Sequence, residues 1–187
     1  MESVAPVSPV PPLLCALAAP LTEALKEFFA RQLKLTLHLT EPLTASSALP
    51  LRGVSVLMAA SGGAALVTGL SFSPALLHLV TDRFLDEISV SADERPALLR
   101  DTACEILNTV FGNCTPLLSP DGALIHLSPP VILAPETGVI RPAPGCSLSA
   151  LVFATTAGTL TLILVMPLHP EPFSGLSSLV CFDKDKS

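Results

Sequence analysis

The region 142–168 contains no charged residue, and this restricts the fold of the chain more than any other stretch of its sequence. By length it could cross a bilayer as a helix, which needs roughly 20 apolar residues. Its middle, 154–159, however, combines Gly158 with three threonines, and its flanks are rich in Val, Ile, Leu and Thr. Such flanks favour strands, and such a centre favours a turn. We therefore predict two strands, 147–153 and 159–166, joined by a short turn, and expect no membrane insertion.

The rest of the chain alternates between helical and strand patterns. Helices are predicted at 13–32, where Pro20 should kink or split the helix, at 74–85, and from Ser91 to about 114 or 117. Further strands are predicted at 33–40, 53–60, 64–72, 123–127 and 131–134, with a loop at 42–50. This order predicts an α+β fold, with helices packed on a mainly antiparallel β-sheet. We assign 1–12 to a flexible Pro-rich leader, 13–170 to a single domain and 171–187 to an irregular C-terminal tail.

The composition of the chain restricts the kinds of partner that the protein can bind. The chain has a net charge of −6, a pI near 5.1 and no basic stripe, so we expect no binding to nucleic acid. Half of its residues are hydrophobic and only 14% are charged. So much apolar surface requires either an unusually large buried fraction or a second subunit, and we expect a homodimer.

The cysteines and histidines show no ligand or disulfide pattern. None of the five cysteines forms a CxxC pair, and an odd number leaves at least one thiol unpaired. Cys104 and Cys114 lie ten residues apart on one predicted helix, too far along its axis to bond each other. The four histidines are scattered through different predicted elements. We therefore expect reduced thiols, a cytoplasmic protein and no metal site held by this chain.

The predicted helix that begins near Ser91 carries a stripe of polar residues. At about 100° per residue, Asp101, Glu105, Asn108 and Gly112 fall within an arc of roughly 60°. Apolar side chains occupy the opposite side, namely Leu99, Ala103, Ile106, Leu107 and Val110. The helix should therefore pack by one face and expose the acids and the amide on the other.

The order Asp-x-x-x-Glu-x-x-Asn, followed by the pair Gly112-Asn113, resembles the signature helix of the CheX-type chemotaxis phosphatases (CheC/CheX/FliY-type). The resemblance extends to 53–72, which is similar to the paired strands with a central glycine turn in that family, and to 128–131, which is similar to its proline-containing strand entry. It implies a CheX-like fold with one long motif-bearing helix. Relatives of the CheC and FliY type carry two such helices, but here the other candidate, 22–26, has Lys26 where the amide should stand. One site per chain is therefore expected.

The resemblance also implies an activity, the dephosphorylation of the phospho-aspartate of a CheY-like receiver domain in chemotaxis or two-component signalling. An amide offers a donor and an acceptor on one planar group, so Asn108 would orient the attacking water. Glu105 would pair with a lysine of the receiver, as the family implies. Asp101, Gly112 and Asn113 are supporting residues, with Gly112 predicted to allow a close approach between helices or between helix and sheet. No cofactor would be held by this chain, because the receiver supplies Mg²⁺.

Three other interpretations fit the same residues. A CheX-like adaptor would bind a receiver domain or dimerise without hydrolysing anything. A two-carboxylate hydrolase or metal site at Asp101 and Glu105 lacks further ligands at useful spacing. The stripe is also what the exposed side of any amphipathic helix shows, although Asn108 and Gly112 are both unfavourable inside a helix. Because the motif retains Glu105 and Asn108 together, a phospho-aspartate phosphatase, a hydrolase, is the leading interpretation.

Overall fold

The computed structural model describes residues 10–62, 65–86, 90–118, 122, 124–133, 138–169 and 175–183. Three long helices lie within these residues: α1 Pro12–Leu33, α2 Pro74–Leu85 and α3 Arg95–Cys114. The strands are β1 His38–Ser46, β2 Leu49–Pro50, β3 Ser55–Ser61, β4 Leu66–Phe72, β5 His126–Leu127, β6 Val131–Leu133, β7 Val139–Pro142, β8 Cys146–Thr155, β9 Gly158–Pro167 and β10 Val180–Asp183. Short 3₁₀ helices cover Thr115–Leu118 and Leu176–Ser178. Most of the predicted leader, residues 1–9, and residues 171–174 and 184–187 of the predicted tail lie outside the described residues.

The main sheet is antiparallel and runs in the order β1-β8-β9-β4-β3, with β5 and β6 both pairing with β3 at the far edge. At its centre, β8 and β9 pair in continuous register from Cys146 with Pro167 to Thr155 with Gly158. The strand pair predicted from the uncharged region is therefore confirmed. Within the described residues, no helix is both long and apolar enough to span a bilayer.

Two hydrophobic cores lie on opposite faces of this sheet. The three helices cover one face, and Phe29, Phe72, Phe111 and Phe153 are fully buried there. A small sheet, in the order β10-β7-β2, covers part of the other face through Ile140 and Val180. The α+β prediction is confirmed, but the prediction of an irregular tail is wrong for 175–183. There, β10 pairs with β7, a strand about 40 residues earlier in the chain, and no local pattern marks such a pairing.

The predicted strand at 33–40 has the wrong boundaries. Leu33 ends α1, and Lys34 adopts a left-handed conformation with φ of 51°. Arg83 of α2 donates hydrogen bonds to the carbonyl oxygens of both residues and so caps the helix. The alternating Leu35 and Leu37 are buried as predicted, but they precede β1, which starts at His38 and runs through part of the predicted loop.

Of the two effects predicted for Pro20, the split of the helix is wrong, and the kink stays a prediction. Pro20 lies inside α1, which continues on both sides of it. Proline removes one backbone hydrogen bond from a helix. Here Leu17, Ala18 and Leu21 are all buried around it, and we attribute the continuity of the helix to this packing.

Candidate functional site

A capping box lies in the turn that leads into α3. The Ser91 N–H donates to Glu94 Oε2 and the Glu94 N–H donates to Ser91 Oγ, each at 3.3 Å. The Ser91 hydroxyl adds a 2.7 Å bond to the same carboxylate. This bond, and next the bond from the Ser91 N–H, lower the pKa of Glu94. Arg95 then pairs with Asp82 of α2. The helix is thus tied to α2 at its first residue, six residues before Asp101.

The buried face of α3 sets the rotation of the helix. Ala103, Ile106, Leu107, Val110, Phe111 and Cys114 all lie in the core between the helices and the main sheet. This packing leaves Asp101, Glu105 and Asn108 exposed to solvent on the opposite side. The structure therefore brings the predicted acids and the predicted amide together on one exposed surface of a well-anchored helix.

Gly112 and Asn113 complete the predicted set. Gly112 is half-buried and Asn113 is exposed. A Cβ added to Gly112 would meet no heavy atom within 4 Å, leaving aside its chain neighbours and the nearby backbone of the helix itself. The predicted close approach between helices or between helix and sheet is therefore wrong within the described structure. Gly112 instead leaves open space next to the stripe, one turn beyond Asn108.

Thr109 and Cys104 lie next to the stripe and interact with its two acids. The hydroxyl of Thr109 donates to Glu105 Oε1 at 3.3 Å, a contact between adjacent turns. Burial, and to a lesser degree the carboxylate of Asp101, raise the pKa of the Cys104 thiol. Among the described residues, no group of three or more His, Cys, Asp or Glu side chains is placed to hold a metal ion.

Beside the stripe, an open groove of about 560 Å³ lies between α1 and α3. Its apolar lining consists of Ala24, Phe28, Phe84, Val110 and Cys114, and its polar lining consists of Glu27, Arg31, Gln32, Glu105, Thr109 and Asn113. Asp101 and Asn108 do not line it. Sequence reasoning missed this groove, because nothing in the local pattern shows that α1 and α3 are neighbours.

The segment of α1 compared with the motif, 22–26, has a different arrangement. Its acid, Glu23, pairs with the ammonium of Lys26 at 3.0 Å. One turn on, Glu27 pairs with Arg31 at 2.9 Å. The exposed side of α1 thus carries ion pairs where α3 carries an acid and an amide.

Comparison with solved structures identifies the fold. The chemotaxis protein CheX from Desulfovibrio desulfuricans superposes with a TM-score of 0.66 at 17% identity, over 79% of this chain and 97% of that one. A CheC-like superfamily protein from Shewanella sp. PV-4 gives a TM-score of 0.66 at 20% identity, over 80% and 96%. CheX in a complex with CheY, BeF₃ and Mg²⁺ from Borrelia burgdorferi gives 0.58 at 15% identity, over 79% and 95%. No protein-family model and no curated protein matches the sequence.

The chain therefore has the CheX-type fold, in which helices pack on a mainly antiparallel sheet. At these identities the comparison shows the fold alone, so the function must be argued from the site.

Proposed function

We propose that this protein is a CheX-like phosphatase that dephosphorylates the phospho-aspartate of a CheY-like receiver domain, in chemotaxis or another two-component pathway in the cytoplasm. The observation that carries the proposal is the joint exposure of Glu105 and Asn108 on α3, in a CheX-type fold. The solved complex of a CheX with CheY supports a receiver domain as the partner.

The reaction requires few catalytic groups from this chain. An acyl phosphate is hydrolysed when a water oxygen bonds to phosphorus and the bond from phosphorus to the aspartyl oxygen breaks, which releases phosphate and the carboxylate. The receiver would bring its own Mg²⁺, which neutralises charge on the phosphoryl oxygens. Asn108 would hold the water in line, since its amide both donates and accepts a hydrogen bond without titrating.

Glu105 would provide the docking contact. Its exposed carboxylate lies one turn from Asn108 and can pair with a lysine next to the receiver's phosphorylation site. The hydrogen bond from Thr109 restricts the rotamers of this side chain before the partner arrives. Asp101 adds negative charge at the outer end of the stripe, and Asn113 offers a second amide on the groove side.

The test is the decay of a phosphorylated receiver domain, alone and with the wild-type protein or its variants. We expect the wild-type protein to accelerate the decay and both Asn108→Ala and Glu105→Ala to abolish the acceleration. Glu41→Ala is the matched control, because it removes an exposed acid from β1 rather than from α3, and its effect should be much smaller. Binding without acceleration by the wild-type protein would support the adaptor alternative instead.

We also propose that the protein is a homodimer. The far edge of the main sheet exposes Leu124, Leu127, Val131 and Ile132, with Leu124 at 72% of its full accessible surface. The segment 122–133 contains no Lys, Arg, Asp or Glu, the charged residues that often prevent association at sheet edges. Light scattering should give twice the 19.4 kDa chain mass. Ile132→Asp should produce a monomer, whereas Leu39→Asp, on the opposite edge strand β1, should not.

A further inference from the structure

We infer that the groove between α1 and α3 receives an apolar side chain of the receiver domain, and that Lys34 and Arg83 beyond its end receive a carboxylate of the same partner. The inference rests on the proposed function and assigns a second contact surface beside the motif. It makes Phe84 a residue that determines partner affinity, separate from Glu105 and Asn108.

The apolar lining of the groove is incompletely covered. Phe84 retains 40% of its accessible surface although it lies against Phe28, with ring centroids 6.2 Å apart and planes tilted by 31°. Val110 and Cys114 of α3 are buried on the other side of the groove. A partly covered aromatic pair next to polar residues is typical of a pocket that an apolar anchor fills at a protein interface.

The groove is also continuous with the motif. Glu105 belongs to both, and the α3 wall from Glu105 to Cys114 extends about 14 Å along the helix axis at 1.5 Å per residue. A stable protein interface buries about 800 Å² on each partner, a patch with a radius of roughly 16 Å. A receiver centred on Asn108 therefore covers the groove, and an apolar side chain is the group that matches its lining.

The positive charges beyond the end of the groove indicate a second contact with the receiver. A second depression shares Gln32 and Phe84 with the groove and is also lined by Lys34, Arg83 and Asp86. Lys34 donates to the carbonyl oxygen of Arg31 at 2.8 Å, and Arg83 donates to the carbonyls that end α1. The ion pairs found among the described residues include neither cation, whereas Arg31 is neutralised by Glu27. A carboxylate of the partner would complete this pairing.

The inference is tested by measuring the affinity of this protein for purified receiver domains held in the active state by beryllofluoride and Mg²⁺. Phe84→Asp should weaken binding about tenfold or more, and Phe84→Ala should weaken it less. Lys34→Glu should weaken binding at low salt, with a smaller effect at high salt. Phe182→Asp is the matched control, since Phe182 is similarly exposed at 37% but lies on β10 in the other sheet.

The outcomes separate this inference from the proposed function. If the wild-type protein dephosphorylates a receiver but both Phe84 variants bind it with wild-type affinity, the groove is not a docking surface and the phosphatase proposal stands. If no receiver binds the wild-type protein, both proposals fail. If Phe84→Asp and Phe182→Asp lose affinity equally, the groove has no specific role. Thermal melts of each variant show whether a loss of affinity accompanies a loss of folding.

Discussion

Replacement of Gly112 by alanine should stabilise the protein. Gly in a helix interior costs about 0.5–1 kcal/mol relative to Ala, because the unfolded chain loses more freedom at glycine. The new Cβ would contact nothing within 4 Å, so no clash offsets this gain. Since Gly112 lies two residues before the end of α3, the lower part of the range applies, and we expect about 0.5 kcal/mol. For a domain of this size that is a rise in Tm of about 1–2 °C.

The assay is thermal and urea unfolding followed by circular dichroism. Gly69→Ala is the opposite case, because a Cβ there would lie 2.6 Å from the Val56 carbonyl oxygen and would also clash with Leu57. That variant should lose stability by about 1–3 kcal/mol or more. A Gly112→Ala variant less stable than the wild-type protein would refute the reasoning, since it would mean that a neighbouring group already fills this space.

The same variant tests whether the partner uses the open space. Gly112 continues the stripe one turn past Asn108, and both residues are locally unfavourable in a helix. Local rules are most often broken where function requires it. On the proposed function, Gly112→Ala should therefore bind an active receiver more weakly while it unfolds at a higher temperature. An unchanged affinity would leave Gly112 without a role in docking.

Three further predictions concern the surroundings of the motif. The bonds from Ser91 lower the pKa of Glu94 in the folded state. Their contribution to the stability of the fold is therefore present above the unfolded-state pKa, about 4.5, and is lost as the pH falls through the folded-state pKa. Ser91→Ala should flatten the fall in Tm over that range of pH. Burial raises the pKa of the Cys114 thiol, so iodoacetamide at pH 8 should modify the exposed Cys15 before Cys114, as read by peptide mass spectrometry. Thr109→Val should raise KM for the phosphorylated receiver more than it lowers kcat, and Thr109→Ser should restore KM, because the hydroxyl positions Glu105 for docking.

Elements with a strong local signal were predicted well from the sequence. The β8–β9 hairpin follows from apolar β-branched flanks around Gly158, and α2 follows from Ser73-Pro74 and its apolar periodicity. The capping box of Ser91 and Glu94 correctly marks the turn that leads into α3. In each case the residues that determine the element lie within it or next to it.

Elements that depend on distant partners were predicted poorly. The start of β1 depends on Arg83, about 50 residues later, which caps α1 after Leu33. The strand β10 depends on β7, and its short sequence has no alternation of its own that marks a strand. The exposed stripe of α3 was predictable because helical period and burial alone define it. The groove was not, since its two walls come from helices separated by more than 60 residues of chain.

The same tertiary arrangement explains why two packed helices differ in their surfaces. A second motif on α1 would require a free acid and an amide, but Glu23 is held by Lys26 and Glu27 by Arg31. Within the span of the second pair, Phe28 lines the groove and packs against Phe84 of α2. On the proposed function, α3 therefore contributes the chemistry and α1 contributes part of the docking surface.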